Sequence, residues 1–487
     1  MFNRVAEIVK RLNLDLEFIS SGNCVDYSPV TGEQIASFPL NGAADIRTII
    51  NRSKQAFEEW RQVEPNGRSN LLRLFGDELR AKKEELAELV VIETGKIYAT
   101  ALKEVERSIE ICDMVADMQY RMSGFSVPTQ GRHLAVSEVW QPIGPVVVIT
   151  SFNFPLRVWV LNALLALVCG NPVIWRPSRK ATLTAFAVNS LLRRAKARST
   201  ANCPEYLSQI VICNHEDSVV MAESPDVPLL CATGSPVMAR GLQSKVGQRL
   251  GRSILSVGGN NAVIVTPSAD LNLAKEQVLQ SAIADAGQRC TSLHRLFCHS
   301  SVYDEFVGQL KMAFNTVYVN SPFERQSQIG PLIDKEAFDI MRLQLEQAKL
   351  EGGIVSGGNR IDVGLYKDAY YVQPAVVEMP KQTGTVKTEL LAPVLYVMRY
   401  DDLKEAVFEI NEFSQTLLAG IFSNDLKEIG YFCSMDGVQS DAAIVNAGMV
   451  GYDMAAMFTT GKDCRSFATD VWRPFMQSKT CLTNYNF

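Results

Sequence analysis

The sequence predicts an α/β protein built from two doubly wound parallel-sheet domains and an extended β arm. Three observations predict it. From Pro145 onward, short β-branched or apolar runs alternate with helical stretches, as expected of strands buried on both faces beneath helices. The alternation starts afresh after the glycine pair Gly258-Gly259, which marks a candidate hinge between two successive halves. Two extended segments, His133 to Trp140 and Phe475 to Tyr485, lie outside the alternation and are candidates to pair with each other.

The elements follow in order. Ala44 to Trp60, Asn70 to Ile92 and Thr94 to Met122 read as helices. In the third, Leu102, Val105, Ile109, Cys112 and Val115 fall on one face, opposite Glu104, Arg107 and Glu110. Val146 to Thr150 reads as a strand, Arg157 to Val168 as a helix and Val173 to Trp175 as a strand. A helix fits Ala181 to Ala197, strands fit Gln209 to Cys213 and Leu229 to Cys231, and a helix fits Pro236 to Val246. In the second half, strands at Ala262 to Val265 and Leu293 to His299 each precede a helix, Asp270 to Ala286 and Val302 to Val317. Later strands fit Ala375 to Val377, Val394 to Tyr400, Ala419 to Phe422 and Ala443 to Val445.

Composition narrows the function. A chain of 487 residues that is 47% apolar and 21% charged predicts two to four domains around a large core. Net charge is −5 with both signs interspersed, so no basic tract argues for nucleic acid or an anionic membrane. The longest uncharged apolar stretch, Val158 to Val168, is too short to span a bilayer, and Met1 to Leu16 lacks the apolar centre of a signal peptide. A cytoplasmic protein is expected. The 11 cysteines are scattered singly and the four histidines form no metal-ligand spacing, so no metal is expected.

Three segments carry chemistry. Gly287-Gln288-Arg289-Cys290-Thr291 lies between a predicted helix and a strand, which puts the Cys290 thiol on a loop facing a crevice, although any single cysteine is more often a buried hydrophobe. Ser151-Phe152-Asn153-Phe154-Pro155 follows a strand, where the Asn153 amide can donate to a developing oxyanion, although Asn and Pro also simply favour turns. Ala232-Thr233-Gly234-Ser235 joins a strand to a helix, a turn suited to a pyrophosphate or, more plainly, to capping that helix.

Taken together, PIGPVVVITSFNFP, CGNPVIWRPS, ATGS, GGNNAVIV, AGQRCTSLHRLF, IGPLID, TELLAPVLYV and AIVNAG resemble, in order, the motifs of the aldehyde dehydrogenase superfamily over residues 140 to 450. ETGK, the ICD helix, the GRS-to-GGNNA block and the terminal TCxxNY are most similar to the antiquitin-like branch, which oxidises α-aminoadipic semialdehyde. The resemblance implies an aldehyde dehydrogenase-like fold with two Rossmann-type domains. Residues 1–126 and 147–255 would bind the dinucleotide, 256–450 would form the catalytic domain, and 127–146 with 468–487 the oligomerisation arm of a homodimer or homotetramer. It implies Cys290 as nucleophile and Asn153 as oxyanion donor. The cofactor, NAD with NADP left open, would meet Thr150, Ser151, Arg176, Ser178, Arg179, Thr233, Gly234, Ser235, Val257, Gly258, Glu389 and Leu391. A small-molecule aldehyde would meet Phe154, Arg289 and Thr291.

The departures from the family bear on function. The family's general-base glutamate is Ser256 here, and a serine hydroxyl cannot deprotonate water unaided at neutral pH. The glutamate expected to meet a substrate amine is Arg107, and the loop that anchors a substrate carboxylate is rebuilt around Tyr452 and Asp453. Leu391 replaces an aromatic, and Arg179 replaces an acidic partner of the adenosine ribose, which leaves room for a 2′-phosphate. Three readings stay open: a dehydrogenase with an unusual base or substrate, a relative that passes its thioester to a thiol such as coenzyme A, and a scaffold that has lost catalysis.

Overall fold

The structure is a computed structural model, and it describes residues 1–485 apart from 13, 15–18, 128–132, 365, 413–415 and 451–470. The chain opens with a helix, α1 (Phe2–Arg11), and a hairpin, β1 (Cys24–Tyr27) with β2 (Gln34–Phe38), neither of which the sequence reading anticipated. Helices α2 (Ala43–Trp60), α3 (Pro65–Ala81), α4 (Lys83–Thr94) and α5 (Tyr98–Asp117) follow. The single helix expected from Asn70 to Ile92 is therefore two. It breaks at Lys82, whose φ of −125° and ψ of 24° leave the helical basin. The third expected helix starts at Tyr98 rather than Thr94, because Gly95 ends α4 in the left-handed conformation at φ 73°. A Cβ at Gly95 would lie 2.9 Å from the Pro331 ring, so backbone conformation and crowding both select glycine.

After β3 (Ser126–Val127) and β4 (Leu134–Pro142) comes the first large sheet. Its strands are β5 (Val146–Ile149), β6 (Val173–Arg176), β7 (Ser208–Ile210), β8 (Leu229–Gly234) and β9 (Arg252–Val257), all parallel, in the order β7-β6-β5-β8-β9. Helices α6 (Arg157–Val168), α7 (Thr182–Arg198), α8 (His215–Glu223) and α9 (Pro236–Gln248) connect them. Strand order reverses between β5 and β8, so a crevice opens at their carboxyl ends, the usual ligand position in an open α/β sheet. α6 is buried along most of its length, and Trp159 stacks on Trp175 of β6 at 4.4 Å between ring centroids.

The second sheet is built from β10 (Asn261–Val265), β11 (Leu293–His299), β12 (Ile354–Gly357), β15 (Ala375–Glu378), β16 (Val394–Tyr400), β17 (Leu418–Phe422) and β18 (Ala442–Val445). The numbers β13 (Arg360–Ile361) and β14 (Tyr371–Val372) belong to a small separate ribbon. The order is β12-β15-β16-β11-β10-β17-β18, parallel except that β12 runs against β15, so the expected all-parallel sheet carries one antiparallel edge. α10 (Leu271–Ile283), α11 (Ser300–Asn315), α12 (Lys335–Leu350), α13 (Leu403–Asn411) and α14 (Leu426–Phe432) cover it. β9 ends at Val257, two residues beyond the boundary expected between the halves.

The arm forms as the two extended segments suggested. β19 (Met476–Asn484) pairs antiparallel with β4 from Met476↔Pro142 to Asn484↔Leu134, and β3 adds a third strand. Leu134, Val139 and Leu482 remain exposed on it. Its base is tied to the first sheet by Asn171. That buried amide accepts from the backbone N–H of Ile143 at 2.8 Å and Gly144 at 3.0 Å, and donates to the Phe475 carbonyl at 2.7 Å. Among the described residues, no helix is long and apolar enough to cross a membrane.

Candidate active site

A single cleft of about 870 Å³ runs from the carboxyl ends of β5 and β8 to the loop before β11. That volume is within the roughly 300 to 1,000 Å³ typical of small-molecule and cofactor sites. β5 delivers Thr150, Ser151, Asn153 and Phe154 to its wall. β6 ends at Arg176, and Ser178 and Arg179 follow it into the cleft. β8 runs into Thr233 and Gly234, and Ser235 caps α9 through a hydrogen bond from the Met238 N–H at 3.3 Å. Ser256, Val257, Gly258, Glu389 and Leu391 line the passage toward Cys290 and Thr291.

The nucleophile loop is held by an unusual backbone. Asp285, Ala286 and Gly287 take φ values of 51°, 56° and 69° in succession. Two non-glycine residues in the left-handed region cost roughly 1 to 2 kcal/mol each, so surrounding contacts must hold them. At Gly287 a Cβ would meet the Ala392 carbonyl oxygen at 2.2 Å. The Asp285 carboxylate accepts from Arg289 Nε at 2.6 Å and lies 3.9 Å from Lys96 Nζ, while Lys96 pairs with Glu104 at 2.5 Å. Glu104 Oε1 accepts the backbone N–H of Leu156 and Arg157, anchoring the start of α6. Burial pushes the Asp285 carboxyl up, but the combined charges of Arg289, Lys96 and Arg157 hold it below its ordinary value. Gln288 braces the loop from Asp285 to Pro331 and Ile333.

Above this network Cys290 is half-exposed on the cleft wall. By contrast Cys112, Cys169 and Cys298 are buried, and burial pushes the Cys169 and Cys298 thiols up to about 12. Asn153 Nδ2 donates to the Gln288 carbonyl at 3.0 Å, and its Oδ1 accepts from Ser151 Oγ at 2.6 Å. One amide hydrogen thus fixes the side chain beside the Cys290 loop. Asn261 Nδ2 donates to the carbonyls of Cys290 and Ser292, both at 2.8 Å, tying the loop to β10. The Glu389 carboxylate lies against Gly258: a Cβ there would sit 1.9 and 2.2 Å from its two oxygens. Burial raises Glu389 to about 7, opposed by a hydrogen bond from the Gly259 N–H.

The cleft fits a dinucleotide on its own chemistry. Arg176 Nε and Thr291 Oγ1 are buried polar atoms on its wall with no hydrogen-bond partner among the described residues. The Thr233-Gly234-Ser235 turn opens the 13-residue helix α9, whose N-terminus favours a phosphate.

Two expected substrate contacts lie elsewhere. Arg107 is not part of the cleft wall; it pairs at 2.5 Å with Glu110, one turn along α5. Arg289 is buried and not part of the cleft wall, donating through Nε to Asp285 while its guanidinium lies 5.6 Å from the centre of the Phe154 ring. The placements expected for Tyr452 and Asp453 fall outside the described residues. In their stead Arg157, Val158, Leu161 and Asn162 of α6 line the wall near Phe154, and Arg157 stacks over the Phe154 ring at 4.1 Å. Arg157 and Asn162 are the polar residues of an otherwise apolar helix, a sign legible in the sequence that this helix faces a cavity. The hairpin residue Asp26 also reaches the cleft, its carboxyl raised by burial and by the neighbouring Glu93. Nothing in the early sequence signalled that.

Comparison with known proteins decides the class. Residues 19–459 match the model of the aldehyde dehydrogenase family. The chain belongs to the aldehyde dehydrogenase family. It is an NAD(P)-dependent oxidoreductase of that family, acting on aldehydes. It is 34% identical to the pea aldehyde dehydrogenase family 7 member A1, over 94% of this chain and 90% of the relative. It is 33% identical to bovine α-aminoadipic semialdehyde dehydrogenase, over 94% and 85%. In fold it matches the Staphylococcus aureus betaine aldehyde dehydrogenase in complex with NAD⁺ at a TM-score of 0.89, with 21% identity, over 99% of this chain and 98% of that one. A 3,6-anhydro-L-galactose dehydrogenase matches at 0.87, with 24% identity, over 96% and 98%.

Proposed function

We infer that the chain oxidises a semialdehyde of an amino or carboxylic acid through a thiohemiacetal on Cys290. The carrying observation is the half-exposed Cys290 thiol on the wall of the cleft that also holds the Asn153 amide and the Thr233-Gly234-Ser235 turn. In the first step Cys290 Sγ, as thiolate, adds to the aldehyde carbon and a C–S bond forms. Negative charge collects on the former carbonyl oxygen, where the Asn153 amide and the Cys290 backbone N–H donate to it. A nicotinamide held in this cleft would supply the acceptor for the hydride that leaves this carbon. What remains on Cys290 is a thioester, which water or a thiol must cleave. Thr233, Gly234 and Ser235 would hold the pyrophosphate, and Arg176, Ser178 and Arg179 the adenosine ribose.

The relatives named for α-aminoadipic semialdehyde support the substrate class. Arg107, paired with Glu110 and absent from the cleft wall, argues against a cationic amine held at that position. Residues up to 255 with the arm excluded would form the dinucleotide-binding domain and 256–450 the catalytic domain, while the exposed apolar residues of the β4–β19 arm would pair copies into a homo-oligomer. Ser256 favours a second reading at the last step, transfer of the acyl group to a thiol such as coenzyme A.

Stopped-flow NAD(P)H formation with a panel of semialdehydes tests this. A burst near one equivalent per subunit that Cys290→Ala abolishes, with nucleotide binding retained, is the expected result. A correctly folded protein giving no burst across the panel would refute it. Relief of a stalled burst by coenzyme A would select the thiol-transfer reading.

A further inference from the structure

Ser256 leaves the deacylation step without its expected carboxylate, yet a carboxylate reaches the same wall from another element. β9 ends at Val257, so Ser256 lies in its last turn of pleat and Gly258 is the first residue beyond it, their α-carbons no more than about 7 Å apart along the chain. The Glu389 carboxylate occupies the space where a Gly258 side chain would stand, with its oxygens 1.9 and 2.2 Å from the site of that Cβ. Glu389 therefore packs on a residue two positions from Ser256, and Glu389, Ser256 and Cys290 line the same cleft. Glycine at position 258 is what lets it approach.

We propose that Glu389, with Ser256 orienting the attacking water, is the general base that hydrolyses the acyl-Cys290 thioester in this chain. The inference rests on the nucleophile reading given above and adds the residue that completes its last step. Water oxygen bonds to the thioester carbon while one water proton passes to a Glu389 oxygen. The tetrahedral adduct then collapses, the C–S bond breaks, and its electron pair returns to Cys290 Sγ as thiolate. The product leaves as a carboxylic acid, and Glu389 releases its proton to solvent. Burial keeps the Glu389 carboxyl near 7, suited to a base working at neutral pH. The Gly259 N–H holds it in place, and the Cys290 thiol is the other titratable group this step involves.

A cofactor-free ester assay isolates the step. 4-Nitrophenyl acetate acylates Cys290 with a burst of nitrophenolate, and the following steady rate reports deacylation. Glu389→Gln is expected to keep the burst and to slow deacylation by about 10² to 10⁴-fold. The wild-type deacylation rate should rise with pH through about 7, and this inflection should vanish in the variant. Hydroxylamine, a nucleophile needing no base, should rescue the variant, and Ser256→Glu placed in the Glu389→Gln background should restore hydrolysis. Deacylation by Glu389→Gln at the wild-type rate would overturn the proposal, as would a wild-type acyl-enzyme that water fails to cleave. A burst that survives Cys290→Ala would instead overturn the nucleophile reading itself, and the proposal with it.

Discussion

Gly258→Ala is a one-methyl test of how this site is assembled. The glycine is not in the left-handed region, so alanine is compatible with its backbone and the perturbation falls on one neighbour. The new Cβ would stand 1.9 Å from Glu389 Oε1, 2.2 Å from Oε2 and 2.3 Å from Cδ. Ordinary contact begins near 3.4 Å, so the carboxylate must retreat by about 1.5 Å. The open cleft beside it gives it room, so the fold should lose less than about 1 kcal/mol, as for most substitutions that avoid cavities and buried charge. The carboxylate, however, gives up its buried seat and the Gly259 N–H. A hydrogen bond to a charged group contributes about 1.5 to 3 kcal/mol, which is roughly a 10- to 150-fold loss in any step requiring that position. We therefore expect ester deacylation to slow by that factor with the acylation burst unchanged, and the pH inflection to move below 7 toward the ordinary carboxylate range as Glu389 meets water. Thermal unfolding measured alongside separates the site effect from a folding effect. Wild-type deacylation with an unmoved inflection would show that Glu389 is not seated against Gly258 as described.

Two further outcomes follow from the same physics. Because burial raises Glu389 from 4.5 to about 7, the folded apo chain holds a proton there that the unfolded chain gives up earlier, so stability falls as pH rises between those values. Glu389→Gln should remove that loss and stabilise the apo protein above pH 7 by on the order of 3 kcal/mol, with little effect at pH 5; denaturant midpoints at the two pH values that shift equally would contradict it. Asn171→Ala should destabilise the arm's base, since the buried N–H groups of Ile143 and Gly144 and the Phe475 carbonyl all lose their partner. With about 1 to 3 kcal/mol for each group left unsatisfied, the three together cost roughly 3 to 9 kcal/mol, read as faster thermal inactivation and early proteolysis at the β19 end. A variant as resistant as wild type would mean that the tie is not needed.

Much of the scaffold is legible in the chain because its signals are local. The run Val146 to Thr150 is β-branched and short, so it reads as a buried strand, and β5 forms there. Arg157 to Val168, Leu293 to His299 and Val394 to Tyr400 are found with the boundaries that patterning suggests. Where local signals fail, the cause is equally local. The apolar spacing from Asn70 to Ile92 continues smoothly through Lys82, yet the helix turns there, because packing of α3 and α4 on α5 overrides a pattern with no breaker in it. The β1–β2 hairpin escaped notice because its residues gain burial from distant partners, such as the Ile92 carbonyl that accepts from Ser28 Oγ at 2.6 Å.

The sequence by itself determined the chemistry on offer: a thiol at 290, an amide at 153, a small-residue turn at 233 to 235, and a serine where a carboxylate was expected. Residue identity and order carry that information, and no coordinates are needed to read it. Only the tertiary structure decided which groups face the cleft. Arg289 adjoins the nucleophile in the chain yet is buried against Asp285, and Arg107 turns to Glu110. Glu389, some hundred residues from Cys290 by chain order, arrives beside Gly258 because β9 and the loop before β16 converge on one crevice. The reason is geometric: a side chain's partners are set by which strands the fold brings edge to edge, and spacing along the chain does not encode that.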